Sequence, residues 1–506
     1  MPPHLPSFRR WLDRQCERAP ERTALVCRER SWTYGELGER TDTLAAQLHA
    51  RGLRPGDRLA VALPNGPEHL LAWLAAAKLG AVVAPLHAQW TAAELRAARE
   101  LLRPRLTLGA AASAPEDIDA AALAEMLAAP HLPFPAVRPT PADAPAELLF
   151  TSGTTGLPKA AVQTARSMML TGEAFADWLH LTADDRLATC LPLAHVNARF
   201  YSTMGALAAG ATLVLEERFS ASRFWGWMGA SRATVVNALG AMLRILLGAP
   251  PADAERAHAL RLVYSSPALG EELHRRCEER FGVRLVVGYG LTECTFGAIH
   301  PLAPPLDAPD RRLASMGLAR RHPDEEWGQE LRLVDPATAG DAAPRDVAAG
   351  ETGEILLRGP TVFAGYFEDP EATAAVLRAD GFLRTGDLAT RDAEGYLTFV
   401  GRTKEMIRRR GENVSPLEVE RVLESHPAVG EAAVVGVPGA LGEEEIAAFV
   451  VPRSGAAVDP AALAVFCGER LARFKVPIQW HVRDSLPRTS TNRVAKKLLV
   501  ASLAPD

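Results

Sequence analysis

The chain has 506 residues, of which 48% are hydrophobic and 23% are charged, so it is long enough for two or more globular domains. Its net charge of −5 leaves no basic surface of the kind that binds nucleic acid, which argues against DNA- and RNA-binding functions. The six cysteines are scattered, without a CxxC pair or a histidine at metal-ligand spacing. We therefore expect buried or inert thiols in a reducing cytosol.

The N-terminal segment and the most apolar segment both argue against export or membrane insertion. The first, "MPPHLPSFRRWLDRQCERAPERT", contains arginines but no apolar core of signal-peptide type. The second, "HLLAWLAAAKLGAVVAPL", is interrupted by Lys78 and Gly80, which is typical of a helix, a glycine stop and a buried strand rather than a bilayer span. We predict a soluble, cytoplasmic protein without a membrane partner.

From the N-terminus onward, short β-rich segments alternate with helical segments. A strand at "DRLAVAL" precedes a helix over Glu68–Leu79 and a strand at "AVVAPL", and a helix at "TAAELRAARELL" precedes a strand at "RLTLG". This βαβ alternation predicts parallel sheet covered by helices. Residues from about Ala110 to Ala146 are rich in alanine, proline and aspartate, and we expect a surface connection there.

The alternation continues to about residue 290 and then changes. Strands are expected at "GATLVLEE", "ATVVNAL", "RLVYSS" and "VRLVVGYG", with helices near Ala221–Ser231 and Glu271–Phe281. Residues 350–400 have short strands with Gly and Asp turns, which predicts a β-rich subdomain. After Arg402, a Ser-Pro helix start, a strand pair and a helix near Pro460–Leu471 predict a compact α+β unit. The predicted fold class is α/β, with a large N-terminal domain of helix-flanked sheets and a small α+β C-terminal domain.

The segment Thr151–Lys159, "TSGTTGLPK", carries the clearest chemical signal. Backbone N–H groups around glycines form an anion-binding nest, hydroxyls add donors and a lysine adds charge, so the segment predicts phosphate binding. It is not a Walker A loop, because GxxxxGK[ST] is absent. A flexible surface turn is the alternative interpretation of the segment taken alone.

Three further segments carry side chains suited to a nucleotide. "GYGLTECT" sets the Thr292 hydroxyl beside the Glu293 carboxylate, which suits a phosphate and Mg²⁺. "LRTGDL" places Asp387 after a glycine turn, where a carboxylate accepts hydrogen bonds from ribose hydroxyls. Taken singly, each segment also fits ordinary turn chemistry. The connector "GRTKEMIRRRGENVSPLEVE" adds Arg402, Lys404 and Gly411.

In combination, these segments resemble the adenylate-forming superfamily of acyl- and aryl-CoA ligases, peptide-synthetase adenylation domains and luciferases. The matching segments span essentially the whole chain, in this order: "FTSGTTGLPKAAV", "GYGLTE", "RTGDL", "GYLTFVGRTKEMI" and "GENVSPLEVE". "LPLAHVNARFYS" and "SASRFWGWMGASRATVV" are most similar to crotonobetaine/carnitine-CoA ligases. The resemblance implies an enzyme that uses ATP to convert an acid into an acyl-adenylate and pyrophosphate, and then passes the acyl group to a thiol.

The resemblance also implies roles in ATP binding. The first segment would hold the β- and γ-phosphates, Thr292 the α-phosphate and Glu293 the Mg²⁺. Asp387 and Arg402 would bind the ribose, and Tyr289 would stack on adenine. The residues implied in the first segment are Thr151, Ser152, Gly153, Thr154, Thr155, Gly156 and Lys159. The adenine-side segment "YSSPA" adds Ser266 and Ala268, although it lacks the usual glycines.

For the acyl pocket and the domain movement, the resemblance implies a second set of residues. His195 would be the gate beside the pocket, whose wall includes Gly288. Arg199 lies four residues on, at helical spacing, so it suggests either a second anionic group on the acid or a salt-bridged arginine. Lys404 would be the hinge between a domain of residues 1–403 and a mobile domain of residues 404–506, with Gly411 beside the pantetheine of coenzyme A.

The chain departs from the family pattern "LPRTxxGK" near its end. It reads "LPRTSTNRVAKKLL", so Arg493 stands in place of the adenylation lysine. Arginine keeps the charge but is a planar fork rather than a compact ammonium. Arg493 therefore performs the same task, or Lys496 or Lys497 replaces it, or the activated group is not an ordinary carboxylate.

These alternatives leave three functions open. The first is an acid–CoA ligase for a small or medium polar organic acid, with coenzyme A or a carrier-protein thiol as acceptor. The second is an adenylating enzyme of secondary metabolism that activates an oxyanion such as nitrite, in aryl-amine diazotisation, without coenzyme A. The third is an inactive nucleotide-binding scaffold, which the retained Lys159, Glu293, Asp387 and Arg402 argue against. The sequence does not define the oligomeric state.

Overall fold

Five β-sheets and the helices that flank them form the fold of the described part of the chain. The computed structural model describes residues 7–114, 116–151, 159–266, 270–299, 312–313, 315–319, 329–409, 412–439, 444–453, 455–488 and 494–503. Within these residues, sheets of eight, five and four strands precede sheets of two and three strands near the C-terminus. The predicted α/β fold class, with a large N-terminal domain and a small C-terminal domain, is confirmed.

The five-stranded sheet comes from the first third of the chain. Four of its strands run parallel, as the βαβ alternation predicts, and the last is antiparallel to its neighbour. The helix Pro67–Leu79 ends at Gly80, whose φ of 77° is left-handed, so the chain turns directly into the next strand. In spatial order the strands are Leu106–Gly109, Arg58–Ala62, Val82–Pro85, Pro145–Phe150 and Ala160–Thr164.

The eight-stranded sheet has six parallel inner strands and one antiparallel strand at each edge. One apolar core, which includes Trp73, Phe175 and Phe200, lies against both this sheet and the five-stranded sheet. In spatial order the strands are Cys294–Ile299, Arg284–Leu291, Leu262–Ser266, Val235–Leu239, Arg186–Thr189, Thr212–Leu215, Thr23–Cys27 and Arg30–Thr33.

The remaining sheets lie in the second half of the chain. The β-rich pattern of residues 350–400 forms most of an antiparallel sheet of Glu330–Val334, Gly353–Arg358, Leu383–Arg391 and Leu397–Arg402. The predicted strand pair near the C-terminus is Val429–Pro438 with Glu444–Pro452, and Gln479–Val482 joins it. A short hairpin pairs Ile407–Arg409 with Glu412–Val414.

Helices cover these sheets, and several of them begin with a side-chain cap that the sequence supplies. Ser415 Oγ accepts a hydrogen bond from Glu418 N at 3.3 Å, and Pro416 occupies the first helical position. The α-helices are Phe8–Arg18, Tyr34–Ala50, Pro67–Leu79, Ala92–Leu102, Ala120–Ala128, Ala165–Trp178, Met204–Ala209, Phe224–Ser231, Gly240–Gly248, Glu271–Phe281, Pro370–Val376, Pro416–Glu424, Pro460–Gly468 and Lys496–Ala501. A π-helix covers Asn197–Thr203, and short 3₁₀ turns cover Asp253–Glu255, Thr403–Glu405 and Arg473–Lys475.

The connection expected over residues 110–146 contains a helix, so that prediction was wrong in part. Asp119 caps the helix Ala120–Ala128 by accepting a hydrogen bond from Ala122 N at 2.8 Å. Leu123 and Met126 are buried against the rest of the core. The alanine-rich segment concealed its helical period because only a few large apolar side chains mark the buried face.

The cysteines are buried, and the apolar segment forms a helix followed by a buried strand, as the sequence predicts. All six cysteines are buried and have free thiols. Burial raises the pKa of the Cys190 thiol to about 12, so this thiol stays protonated and unreactive. Among the described helices, none has the length and apolar character needed to cross a bilayer.

Candidate active site

The predicted phosphate-binding segment is the loop of an edge hairpin in the five-stranded sheet. Phe150 pairs with Ala160, and Thr151 N donates a hydrogen bond to Lys159 O at 2.8 Å, so these bonds close the base of the loop. Lys159 is exposed at the end of the loop. The other predicted residues of the loop lie outside the described part of the chain: Ser152, Gly153, Thr154, Thr155 and Gly156.

Thr292 and Glu293 form the turn of a second edge hairpin, in the eight-stranded sheet. Leu291 pairs with Cys294, so the two residues between them are the tip of the turn. Both side chains are partly exposed, and Thr292 O accepts a hydrogen bond from the buried Gln163 side chain at 2.7 Å. Since Gln163 lies in the first hairpin, the two hairpins are in direct contact.

A segment that we call the strap, Thr361–Phe367, joins the two hairpins. Ala364 N donates to Val162 O at 2.9 Å and Phe367 N donates to Ala160 O at 2.8 Å, along the edge of the first hairpin. Phe363 N donates to Glu293 O at 2.8 Å, and Thr295 N donates to Thr361 O at 3.3 Å, along the second. The strap therefore fixes the strand Ala160–Thr164 of the first hairpin relative to the Thr292–Glu293 turn.

Tyr366, in the strap, lies between Lys159 and Glu293. Its hydroxyl donates a hydrogen bond to Glu293 Oε1 at 2.6 Å, and Lys159 Nζ lies 5.1 Å from the centroid of its ring. Lys159 Nζ also lies 3.9 Å from Asp369 Oδ2. Burial, followed by the charge of Glu293, raises the pKa of Tyr366, so the hydroxyl keeps its proton and is the donor.

Sequence reasoning assigned no role to Tyr366 or Asp369. The segment "GYFED", which contains both, indicated only short strands and turns. The sequence signal that was available is an aromatic residue directly after a glycine. In the structure this glycine, Gly365, has a φ of 128°, in the left-handed region that glycine adopts readily. The partners of Tyr366, however, lie far away in sequence. Glu293 precedes it by 73 residues and Lys159 by 207 residues.

Glu293 has the chemistry of a Mg²⁺ ligand that works together with substrate oxygens. One of its oxygens carries the Tyr366 hydrogen bond, and Oε2 accepts no hydrogen bond from the described residues. No group of three or more His, Cys, Asp or Glu side chains within the described residues has the arrangement of a metal site. Mg²⁺ is commonly held by one or two carboxylates with phosphate and water oxygens, so Glu293 fits that mode of binding.

Tyr289, Asp387 and Arg402, which the sequence predicts to bind the nucleotide, form one network of hydrogen bonds and charge. The Tyr289 hydroxyl donates to Asp387 Oδ2 at 2.7 Å, and Arg402 Nε lies 2.9 Å from Asp387 Oδ1. Asp387 and Arg402 face each other on neighbouring strands. Burial lowers the pKa of Arg402, but the negative charges of Asp387 and Glu405 raise it by a larger amount. The net pKa of Arg402 therefore lies above its usual range.

The predicted adenine and acyl-pocket residues lie in different elements: Gly288 is inside the strand Arg284–Leu291, and His195 lies just before the π-helix. Ser266 ends the strand Leu262–Ser266, and Ala268 lies outside the described residues. A side chain at Gly288 would place its Cβ 2.4 Å from the Tyr264 hydroxyl, so glycine permits this close approach. The His195 ring centroid lies 5.6 Å from that of His87, a buried residue that sequence reasoning did not single out.

Arg199 lies in the interior of the protein rather than at a surface cleft. It is fully buried, and its Nη2 donates to Glu147 Oε1, also fully buried, at 2.8 Å. Nη1 donates to Leu193 O at 3.0 Å, and the guanidinium carbon lies 3.9 Å from the centroid of the Trp73 ring. This geometry favours the salt-bridge alternative over recognition of a second anionic group on the substrate.

The proposed hinge is an exposed turn, and the alternatives to Arg493 lie close to it. Lys404 belongs to the 3₁₀ turn Thr403–Glu405, whose side chains are exposed. Lys496 Nζ lies 2.7 Å from Glu420 Oε1, so this ammonium is held in a salt bridge within the C-terminal part. Gly411 and Arg493 lie outside the described residues.

Comparison with known proteins defines the class to which this fold and site belong. The family model described as AMP-binding enzyme matches residues 12–367, and the model described as AMP-binding enzyme C-terminal domain matches residues 418–493. The fold and these matches identify an ATP-dependent, AMP-forming ligase. The chain belongs to the AMP-binding enzyme family.

Relatives of known function or structure cover nearly the whole chain. A crotonobetaine/carnitine–CoA ligase of Escherichia coli O1:K1 / APEC is 35% identical over 94% of this chain and 96% of its own length. ATP-bound MatB from Rhodopseudomonas palustris is similar with a TM-score of 0.88 and 28% identity, over 98% of this chain and 99% of MatB. MenE of Bacillus subtilis, an o-succinylbenzoate CoA synthetase in complex with the acyl-adenylate OSB-AMP, has a TM-score of 0.81 and 28% identity, over 98% of each chain.

Proposed function

We propose that the protein is an acid–CoA ligase for a small or medium polar organic acid. The acid and ATP would give an acyl-adenylate and pyrophosphate, and coenzyme A would then give the acyl-CoA ester and AMP. The observation that carries the proposal is the strap, whose Tyr366 contacts both Lys159 and Glu293. The relatives support it, because one is a CoA ligase and two others are solved with ATP and with an acyl-adenylate.

The first half-reaction must bring a carboxylate to a triphosphate although both are anionic. In the proposed arrangement Lys159 and the hydroxyls of its loop bind the β- and γ-phosphates, and Thr292 donates to the α-phosphate. Mg²⁺ bound by Glu293 would neutralise phosphate charge there. Asp387 and Arg402 hold the ribose, and Tyr289 packs against adenine, so that the α-phosphorus is held in line for attack. Ser266 and Ala268 border the adenine.

Arg493 is proposed to carry the positive charge that bridges the acid and the α-phosphate, in place of the family's lysine. The salt bridge of Lys496 with Glu420 supports this assignment, because it engages one of the alternative cations. His195 is proposed as the gate beside the acyl pocket, and Gly288 as part of its wall. We propose that Arg199 supports that region rather than binding the acid, and its hydrogen bond with the buried Glu147 supports this role.

For the second half-reaction we propose two domains, residues 1–403 and 404–506, with Lys404 as the hinge. The two family models end and begin at residues 367 and 418, on either side of that position. The exposed turn at Lys404 supports the assignment, since a solvated connector changes its φ and ψ angles without breaking packed contacts. Coenzyme A would then approach past Gly411.

The proposal is tested by measuring pyrophosphate release with a panel of carboxylic acids, with and without coenzyme A. An acid–CoA ligase releases pyrophosphate only with its acid, and forms AMP and a thioester only when coenzyme A is added. Pyrophosphate release with nitrite and an aryl amine, without response to any acid, would refute it in favour of oxyanion activation. ATP binding without turnover under all conditions would instead identify a scaffold.

A further inference from the structure

We infer that Tyr366 is a positioning residue, which sets the Glu293 carboxylate for the metal ion and holds Lys159 beside it before ATP binds. The inference rests on the proposed function of these two residues. Tyr366 carries no charge of its own, but its side chain contacts both of them.

The strap fixes Glu293 at two points. Phe363 N donates to the main-chain oxygen of Glu293 at 2.8 Å, and the Tyr366 hydroxyl donates to its Oε1 at 2.6 Å. Because the main chain and the carboxylate are both held from the same segment, the side chain loses much of its rotational freedom. Oε1 is oriented by the phenol, which leaves Oε2 as the oxygen presented to an incoming cation.

The same ring orients Lys159 without neutralising it. The ammonium lies 5.1 Å from the ring centroid, within the range in which a cation is attracted to an aromatic face. Asp369 lies 3.9 Å away and both side chains are more than one-third exposed, so this ion pair is weak. A triphosphate therefore displaces the aspartate readily, whereas the uncharged ring remains as a support.

Tyr366 is itself held in place by contacts that do not involve the nucleotide. Its main-chain N donates to Thr373 Oγ1 at 2.8 Å, and its ring packs edge-to-face on Phe363 with centroids 4.9 Å apart. It also forms a β-bridge with Ala161 of the first hairpin. The support is therefore assembled before ligands arrive, which is how a site avoids an ordering cost on binding.

Tyr366→Phe tests the inference because it removes only the hydroxyl and keeps the ring. Loss of a hydrogen bond to a charged group predicts that half-maximal pyrophosphate release will need about 10-fold more Mg²⁺. We expect kcat at saturating Mg²⁺ to change less than about threefold, by the same reasoning. Tyr366→Leu, which also removes the aromatic face, should additionally weaken the binding of metal-free ATP. Tyr396→Phe, in another turn, is the matched control and should leave both quantities unchanged.

Binding of Mn²⁺ in the presence of ATP, followed by electron paramagnetic resonance, gives a readout that does not require the acid substrate. We expect Tyr366→Phe to weaken this binding by about the same factor as the Mg²⁺ requirement rises. An unchanged metal affinity, or an equal loss of activity at every Mg²⁺ concentration, would overturn the inference. Failure of the wild type to turn over any acid while it still binds Mn²⁺ and ATP would refute the proposed function alone.

Discussion

Replacement of Arg199 by methionine should destabilise the protein strongly, because it would leave the Glu147 carboxylate buried without its partner. Both side chains are fully buried and lie 2.8 Å apart. Burial raises the pKa of Glu147, and Arg199 opposes that effect, so the guanidinium is what favours the ionised carboxylate. Removing one member of such a pair costs about 3–5 kcal/mol of unfolding free energy.

The expected loss is large enough to measure by thermal unfolding. With about 2.1 cal/mol/K of unfolding entropy per residue, a cooperative unit of about 350–400 residues should lose about 4–7 °C in Tm. Glu147→Gln should cost a similar amount, since it leaves the buried Arg199 cation with only the Leu193 carbonyl and weaker contacts. The double variant Arg199→Met, Glu147→Gln should be more stable than Arg199→Met alone, because no unpaired carboxylate remains.

Arg28→Met provides the matched control, since the Arg28 side chain is 68% exposed in its ion pair with Glu217. We expect this variant to lose about 0–1 kcal/mol. In the fraction of Arg199→Met that remains folded, the KM for the acid substrate should stay within about twofold of the wild-type value. An unchanged Tm together with a selective rise in that KM would refute the reasoning and return Arg199 to the substrate pocket.

Three further predictions concern the site and the contact between the N- and C-terminal parts. Glu293→Gln should abolish ATP-dependent pyrophosphate release by removing the proposed metal ligand, and near-normal release would contradict that role. Arg493→Lys should preserve or increase the first half-reaction and Arg493→Ala should suppress it; an unaffected alanine variant would assign the task to another cation, such as Lys497. Burial raises the pKa of Glu424 from 4.5 to about 7, although Arg244 lies 3.0 Å from its carboxylate. Because the folded state binds this proton more tightly than the unfolded chain, its stabilising contribution is present below about pH 4.5 and is lost as the pH rises to about 7. Glu424→Gln should therefore reduce the fall in urea midpoint between pH 5 and pH 8, and an identical fall in both proteins would contradict the prediction.

Local sequence patterns were sufficient for most of the elements and for the candidate site residues that lie at their ends. The helix Glu271–Phe281 and the strand that follows it have clear periods, and the stop at Gly80 has the left-handed geometry that glycine supplies. The helix Ala120–Ala128 was missed because alanine obscures the amphipathic period.

The contacts between distant segments could not be read from local pattern. Helical spacing placed His195 and Arg199 one turn apart, but it does not reveal that Glu147, on a strand of the five-stranded sheet, faces the arginine. Tyr366 likewise has no local signal of its role, since both residues that it contacts are brought to it by the pairing of strand edges. Such contacts follow from the topology of the folded chain rather than from propensity or period.

The strap has a consequence for the synthesis of the chain on the ribosome. The outer strands Ala160–Thr164 and Cys294–Ile299 emerge long before Thr361–Phe367, which hydrogen-bonds along both of them. At roughly 5–20 residues per second, about 10–40 s separate the first hairpin from the segment that covers it. During that interval the growing chain exposes unpaired sheet edges, which are templates for aggregation. Premature termination before residue 361 should therefore yield insoluble fragments, whereas termination after the strap leaves both edges protected.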